Sequence, residues 1–208
     1  MKNYNGVIDQ LIKGTWISQS DNQQYGIPVK DIQIRESLDG QEADLISSLH
    51  SNQKLLIVSD PFTQKAMGSR IFNNIKGKVN ADEYVWENPS SSIEGVEFLR
   101  KKLKDYHGAI AVGSGTVSDS IKYATFLEKK VYSVFATTPM NAYTTGTASI
   151  SFDGVKKSLV AHYAQGVFFD LEVLRQCPKR LTAAAFADVI CRTTAQVDWL
   201  MSHKLLNT

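Results

Sequence analysis

Ala109-Ile110-Ala111-Val112-Gly113-Ser114-Gly115-Thr116-Val117-Ser118 decides the fold. A short apolar run bounded by turn residues suits a strand covered on both faces. Two glycines one residue apart then turn the chain sharply, and the residues from Ser118 to Lys129 read as a helix. Strand, glycine turn and helix in immediate succession form one unit of an alternating α/β chain.

The same unit recurs on both sides. Upstream, Leu55-Leu56-Ile57-Val58 runs into Ser59-Asp60-Pro61, and Thr63 to Ile75 suits a helix. Glu83 to Trp86 reads as another strand, closed by Asn88-Pro89. Ser91 and Glu94 have capping-box spacing, and Ile93, Val96, Leu99, Leu103 and Tyr106 follow at helical intervals up to Gly108. Downstream, Val131 to Phe135 is a fourth strand leading into Thr137-Thr138-Pro139. This βαβαβαβ order predicts a parallel sheet flanked by helices.

The outer segments are less regular. Residues 1 to about 50 show turn signals at Gly26-Ile27-Pro28 and Leu38-Asp39-Gly40, with a short helix over Gln41 to Leu49. Tyr143 to Ser151 is rich in Thr, Ser, Gly and Ala, and Asp153 to Lys157 reads as a turn between hairpin strands. Val167-Phe168-Phe169 suits one more strand, and Lys179 to about Leu206 reads as one long helix.

Composition excludes several classes. The 208 residues are 43% hydrophobic and 21% charged, ordinary for a folded chain with a real core. Lys and Arg number 23 against 21 Asp and Glu, which leaves no electrostatic footprint for nucleic acid or an anionic membrane. No run approaches the roughly 18 apolar residues of a membrane span. Met1 to Gly14 lacks the continuous apolar core of a signal peptide, so the expected location is cytoplasmic. Cys177 and Cys191 have neither disulfide-framework nor zinc-knuckle spacing and read as two buried thiols.

Gly113-Ser114-Gly115 stands where an α/β sheet binds ligands, at the carboxyl end of a strand. Glycines there let backbone approach a pyrophosphate, and the following helix offers free N–H groups. The dinucleotide fingerprint GxGxxG is incomplete, because Ser118 takes the third glycine, and no Walker A lysine follows. A tight β–α turn without a ligand fits the same residues. Asp119 and Lys122, three apart on the helix, read either as a surface ion pair or as groups beside a bound phosphate.

Three ordered blocks resemble a family. Gly113 to Tyr123 is similar to the nucleotide-binding loop of the dehydroquinate synthase-like superfamily, which includes the iron-type alcohol dehydrogenases and the glycerol-1-phosphate dehydrogenases. Pro139 to Ser149 resembles that family's segment after the fourth strand, and Ala184 to Trp199 resembles its metal-ligand helix. The resemblance, greatest to the glycerol-1-phosphate dehydrogenase branch, covers roughly Leu55 to His203. It implies a Rossmann-like domain over 1–178 and, over 179–208, the first helix of a truncated helical metal-binding domain. It implies NAD or NADP as cofactor and a glycerol-phosphate-type substrate. Gly113, Ser114 and Gly115 would wrap the pyrophosphate, with Asp119 and Lys122 beside it. Thr137, Thr138 and Met140 would line the nicotinamide side, and Tyr143 and Ser149 would add contacts. Asp60 would accept hydrogen bonds from the adenosine ribose and favour NAD, since a carboxylate repels a 2′-phosphate. Asp188 would be a metal ligand; without the resemblance, pairing with Arg192 at i+4 explains it equally well.

The chain departs from the family pattern in ways that bear on chemistry. The family holds zinc or another divalent metal with one Asp and two His. The four histidines here, His50, His107, His162 and His203, match neither. His203 lies fifteen residues beyond Asp188, about 22 Å along one helix, too far to share an ion. Asn141 stands where the family has a substrate-positioning aspartate, so as a catalytic-site residue it can hydrogen-bond but not act as a base. Ala187 replaces a glycine before Asp188. Two explanations stay open: an amino-terminal part of a dehydrogenase, inactive alone, or a short relative that binds nucleotide without turnover. The expectation is the first, as a homo-oligomer, with a non-catalytic module and a dehydroquinate synthase-like lyase as alternatives.

Overall fold

A computed structural model describes residues 5–207; the outermost residues of the two expected domains, 1–4 and 208, lie outside the described residues. The chain opens with α1 (Asn5–Ile12), a small hairpin of β1 (Trp16–Ile17) and β2 (Gln24–Tyr25), then β3 (Asp31–Arg35) and α2 (Glu42–Leu49). β4 (Leu55–Ser59) enters α3 (Pro61–Thr63), which continues through a π-turn over Gln64–Gly68 into α4 (Ser69–Ile75). β5 (Ala81–Val85) and α5 (Ile93–Lys102) precede β6 (Gly108–Gly113), α6 (Gly115–Leu127) and β7 (Val131–Ala136). β8 (Thr147–Phe152), β9 (Val155–Val160), β10 (Gly166–Asp170), α7 (Leu171–Arg175) and α8 (Lys179–Leu206) complete it.

Six strands form one sheet in the order β3-β10-β7-β6-β4-β5, and every neighbouring pair is parallel. Strand alternation splits the core into two layers. Leu56, Val58, Ala109 and Ala111 face a layer that includes Val96 and Leu99 of α5 and Val117 and Ile121 of α6. Leu55, Ile57, Ile110 and Val112 face a layer that includes Ile46 of α2 and Ile71 of α4. From β4 the chain crosses to β5 on one side; from β6 it crosses to β7 on the other. The strand order therefore reverses between β4 and β6, and the crevice beyond their carboxyl ends is where such sheets bind ligands.

Several sequence expectations need correction. Residues 5–50 are not irregular. They hold two helices, a hairpin and the edge strand β3, whose Ile32 and Ile34 alternate with polar residues and never form a solid apolar run. The cap of α5 is Ser92, not Ser91: its hydroxyl accepts from the Gly95 amide at 3.3 Å. Gly108 opens β6 rather than closing a helix, which ends at Lys102 and a 3₁₀ turn. The hairpin turn is Asp153-Gly154 alone, both with positive φ (49° and 79°), as a two-residue turn requires. The cysteines are not buried: Cys177 is half-buried just before α8, and Cys191 is exposed because α8 presents all but Ala185 to at least partial solvent contact.

Candidate functional site

Gly113 ends β6 inside the core, and Ser114 turns the chain into α6 with extended backbone. No side chain caps the first turn of this thirteen-residue helix, so its leading N–H groups stay available to a ligand. Here the chain borders a cavity of about 560 Å³, whose lining includes Ser114, Gly115, Asp119, Thr138, Met140, Asn141, Ser149 and Asp188. A second cavity, about 670 Å³, lies on the other side of Ser114 and Thr138 and adds Asp60 and Thr137. Segments more than a hundred residues apart thus meet at the strand-order reversal.

Gly113, Lys122 and Tyr143 line neither cavity. All three are buried and build its walls. A Cβ on Gly113 would meet the Val117 Cβ at 2.9 Å, so only glycine lets the strand pass this close to α6. The Tyr143 hydroxyl donates to the Gly113 carbonyl at 3.0 Å and meets the Thr138 hydroxyl at 2.8 Å. Since the Tyr143 proton is committed, Thr138 donates in the second bond. Burial pushes the Tyr143 phenol well above its ordinary pKa.

Lys122 corrects the surface-pair reading. It is fully buried, and its ammonium donates to the carbonyls of Ala142 and Thr147, each at 2.9 Å. Its charge ties α6 to the 139–147 segment and to the start of β8. Asp119 is 8% exposed and 3.5 Å from the Lys122 Nζ. Burial raises the Asp119 pKa, opposed by Lys122, and burial lowers that of Lys122, opposed by Asp119. Asp119 Oδ2 accepts from the Ser149 amide at 3.3 Å, whereas Oδ1 has no hydrogen-bond partner among the described residues. This Oδ1 is the atom that pairs with Lys122 at 3.5 Å, and with no hydrogen bond of its own on a cavity wall it can accept from a ligand hydroxyl or amide.

Sequence reasoning missed Lys156 and Ser158, which the β8–β9 hairpin brings to the first cavity, and Ser91 from the loop before α5. The period-two placement of Lys156 and Ser158 on β9 was the one available signal.

The residues present fit a dinucleotide. Gly115 leaves space that a Cβ would fill to 3.1 Å from the Met140 Cε, and the open helix end and the unsatisfied Asp119 oxygen face the same cavity. They do not fit a catalytic metal. Asp188 lies 4.0 Å from the Arg192 guanidinium, and among the described residues no group of three or more His, Cys, Asp or Glu side chains converges on one point. One carboxylate falls short of the three protein ligands of a usual catalytic zinc.

Comparison with known proteins is consistent with this geometry. The family profile described as iron-containing alcohol dehydrogenase matches residues 33–178. Glycerol-1-phosphate dehydrogenase [NAD(P)+] of Pyrococcus abyssi is 30% identical over 179 residues, 85% of this chain and 51% of that protein. The enzyme of the same name from Geobacillus thermodenitrificans is 29% identical, over 85% of this chain and 47% of its own length. The chain spans about half the length of these curated relatives. Among solved structures, NADH-dependent butanol dehydrogenase A from Thermotoga maritima superposes with a TM-score of 0.67 at 17% identity, covering 79% of this chain and 48% of that one. Glycerol dehydrogenase from Schizosaccharomyces pombe gives a TM-score of 0.63, also at 17% identity, over 73% of this chain and 40% of its own. These two likenesses show the fold.

Proposed function

We propose, from the premise that this chain belongs to the iron-containing alcohol dehydrogenase family, that it is the NAD(P)-binding part of an oxidoreductase resembling glycerol-1-phosphate dehydrogenase. The observation that carries the reading is the uncapped first turn of α6, which opens through Gly115 into the cavity at the strand-order reversal.

Each part has a role. The amides of Ser114 to Thr116 and the α6 dipole hold the pyrophosphate. Met140 packs beside Gly115 on the nicotinamide side, Thr138 borders both cavities, and Thr137 borders the second one with Asp60. Asp119 Oδ1 and Ser149 accept or donate to ribose or amide groups of the cofactor. Tyr143 and Lys122 touch no ligand and hold these groups in place. Asp60 borders the adenosine side. Asn141 hydrogen-bonds the substrate, a glycerol phosphate or dihydroxyacetone phosphate, without serving as a base. The nicotinamide, when bound, accepts or delivers the hydride. Residues 1–178 form the nucleotide domain and 179–208 begin a helical metal-binding one. Asp188, paired with Arg192, does not by itself make a metal site. That same pairing favours a second reading, a nucleotide-binding module without turnover.

Fluorescence titration of the purified chain with NADH and with NADPH tests the proposal. Saturable binding that Gly115→Leu abolishes is expected. A folded chain that binds neither nucleotide rejects the cofactor site.

A further inference from the structure

The six-stranded sheet ends in two unpaired edges, β3 and β5. An open edge presents free N–H and C=O groups with which another strand can pair. Within Asp31–Arg35, β3 has neither the proline nor the lysine that commonly guards such an edge, and no bulge interrupts its register. Ile34 is 39% exposed there. α1 does not close the strand: a groove of about 350 Å³ lies between Ile8 and Asp9 of α1 and Ile32 to Arg35 of β3.

The sequence of β3, Asp31-Ile32-Gln33-Ile34-Arg35, complements its own reverse. Laid antiparallel to a second copy about Gln33, it sets Asp31 opposite Arg35, Ile32 opposite Ile34, and Gln33 opposite itself. Asp31, Gln33 and Arg35 share one face, where the Gln33 amide donates to Asp31 at 2.6 Å and the Arg35 Nε donates to Gln33 at 3.1 Å. That row runs from negative to positive, and its reversed copy runs from positive to negative. Neither Asp31 nor Arg35 forms an ion pair among the described residues. Four residues apart, they lie about 13 Å from one another along the strand, too far to pair. Directly opposite in an antiparallel ladder, their Cβ atoms come to about 5 Å.

β5 fails the same test. Ala81-Asp82-Glu83-Tyr84-Val85 laid against its own reverse sets Glu83 opposite Glu83, and like charges directly opposite repel. Asp82 is already held by Lys54 at 3.1 Å.

We propose that β3 docks a second copy of this chain, which adds its own β3 antiparallel and joins the two sheets across a two-fold axis. Val7, exposed on α1 next to Ile8 of the groove, adds apolar area to a ladder that is short for a standard interface of about 1,200–2,000 Å². The contact does not depend on the cofactor reading.

Sedimentation equilibrium at low salt tests the proposal in a Trp199→Glu/Leu200→Glu chain, where the exposed side chains of α8 no longer contribute. That chain should dimerise as its concentration rises. Asp31→Arg puts cations at both ends of β3, and Arg35→Asp puts carboxylates at both ends; each should weaken its own dimer about tenfold or more. An equimolar mixture of the two should dimerise about as tightly as the unaltered strand, because every charge again meets its opposite. The chain carrying both substitutions should recover in the same way. Hydrogen exchange gives a readout that needs no change in β3: amides of residues 31–35 should exchange more slowly as concentration rises. A monomer at every concentration overturns the proposal. So does a dimer that survives both single substitutions, a mixture no tighter than its parts, or exchange over 31–35 that is indifferent to concentration.

Discussion

The hydroxyl of Tyr143 donates to the carbonyl oxygen of Gly113 across 3.0 Å, thirty residues back along the chain. The bond pins the segment after β7 to the end of β6 and sets the floor beneath the glycine loop. Tyr143→Phe keeps the ring and removes the bond, and it strips Thr138 of its acceptor. Losing buried partners this way costs about 1–3 kcal/mol. Urea denaturation should show that loss, and NADH titration should show weaker binding through a loosened Thr138.

The two glycines of the loop separate folding from ligand binding. At Gly113 a Cβ meets the β-branched Val117 at 2.9 Å, on a rigid helix. At Gly115 it meets only the end of the Met140 side chain, at 3.1 Å, which can move. Gly113→Ala should therefore lower the thermal midpoint by several degrees, of the order seen for an overpacked core site. Gly115→Ala should leave the midpoint nearly unchanged. Equal midpoints for the two variants would refute the distinction.

Lys122 carries a buried charge that no apolar residue replaces. Lys122→Met leaves Asp119 as an isolated carboxylate and frees the carbonyls of Ala142 and Thr147. Removing one member of a buried pair costs about 3–5 kcal/mol. Adding Asp119→Asn should recover part of it, so the double variant should be more stable than the single one in urea. Independent, additive losses would sink the idea that the two charges act as a unit.

The parts of this architecture that were legible in the sequence share one property: they are local. Leu55–Val58 and Ala109–Val112 are solid apolar runs, because β4 and β6 are covered on both faces. The edge strand β3 was illegible, since its partly exposed face interrupts the apolar pattern at Gln33. The glycine loop was legible from two residues. Its supports were not: Tyr143 acts on Gly113, and Lys122 acts on Ala142 and Thr147, through contacts that only the folded chain creates. The surface-pair reading of Asp119 and Lys122 failed for the same reason. Three-residue spacing says that the two side chains meet, not that the hairpin covers them.

His50 couples stability to pH. The ring is 2% exposed, and Ser133, which accepts from the Gly166 amide at 3.0 Å, gives its own proton to the His50 Nε2 at 2.7 Å. The Nδ1 proton then goes to Gln53, and the ring is held neutral. Burial lowers its pKa below the ordinary value of 6.5. The unfolded chain thus binds a proton that the folded chain refuses. Stability should be full above pH 6.5 and fall as pH drops from there toward the folded-state pKa. His162, its pKa lowered by burial as well, adds to the same trend. Urea midpoints from pH 7.5 to 5 should show a shallower decline in His50→Gln than in the parent. An unchanged slope would exclude His50 as the source.

α8 should drive self-association. An isolated surface helix normally keeps one polar face, yet Phe186, Ile190, Val197, Trp199, Leu200 and Leu205 are all exposed around this one, Trp199 by 78%. Ala185 is the single buried residue along its described length. A helix apolar on several sides has free energy to gain from any partner that removes that surface from water. In the purified chain, the partner at hand is another copy. Light scattering should give a mean mass above one chain that rises with concentration. Trp199→Glu with Leu200→Glu should lower it toward the monomer and leave the urea midpoint of the α/β core unchanged, since neither side chain packs on the sheet. A monodisperse monomer at every concentration would mean that this helix tolerates its exposed surface unaided.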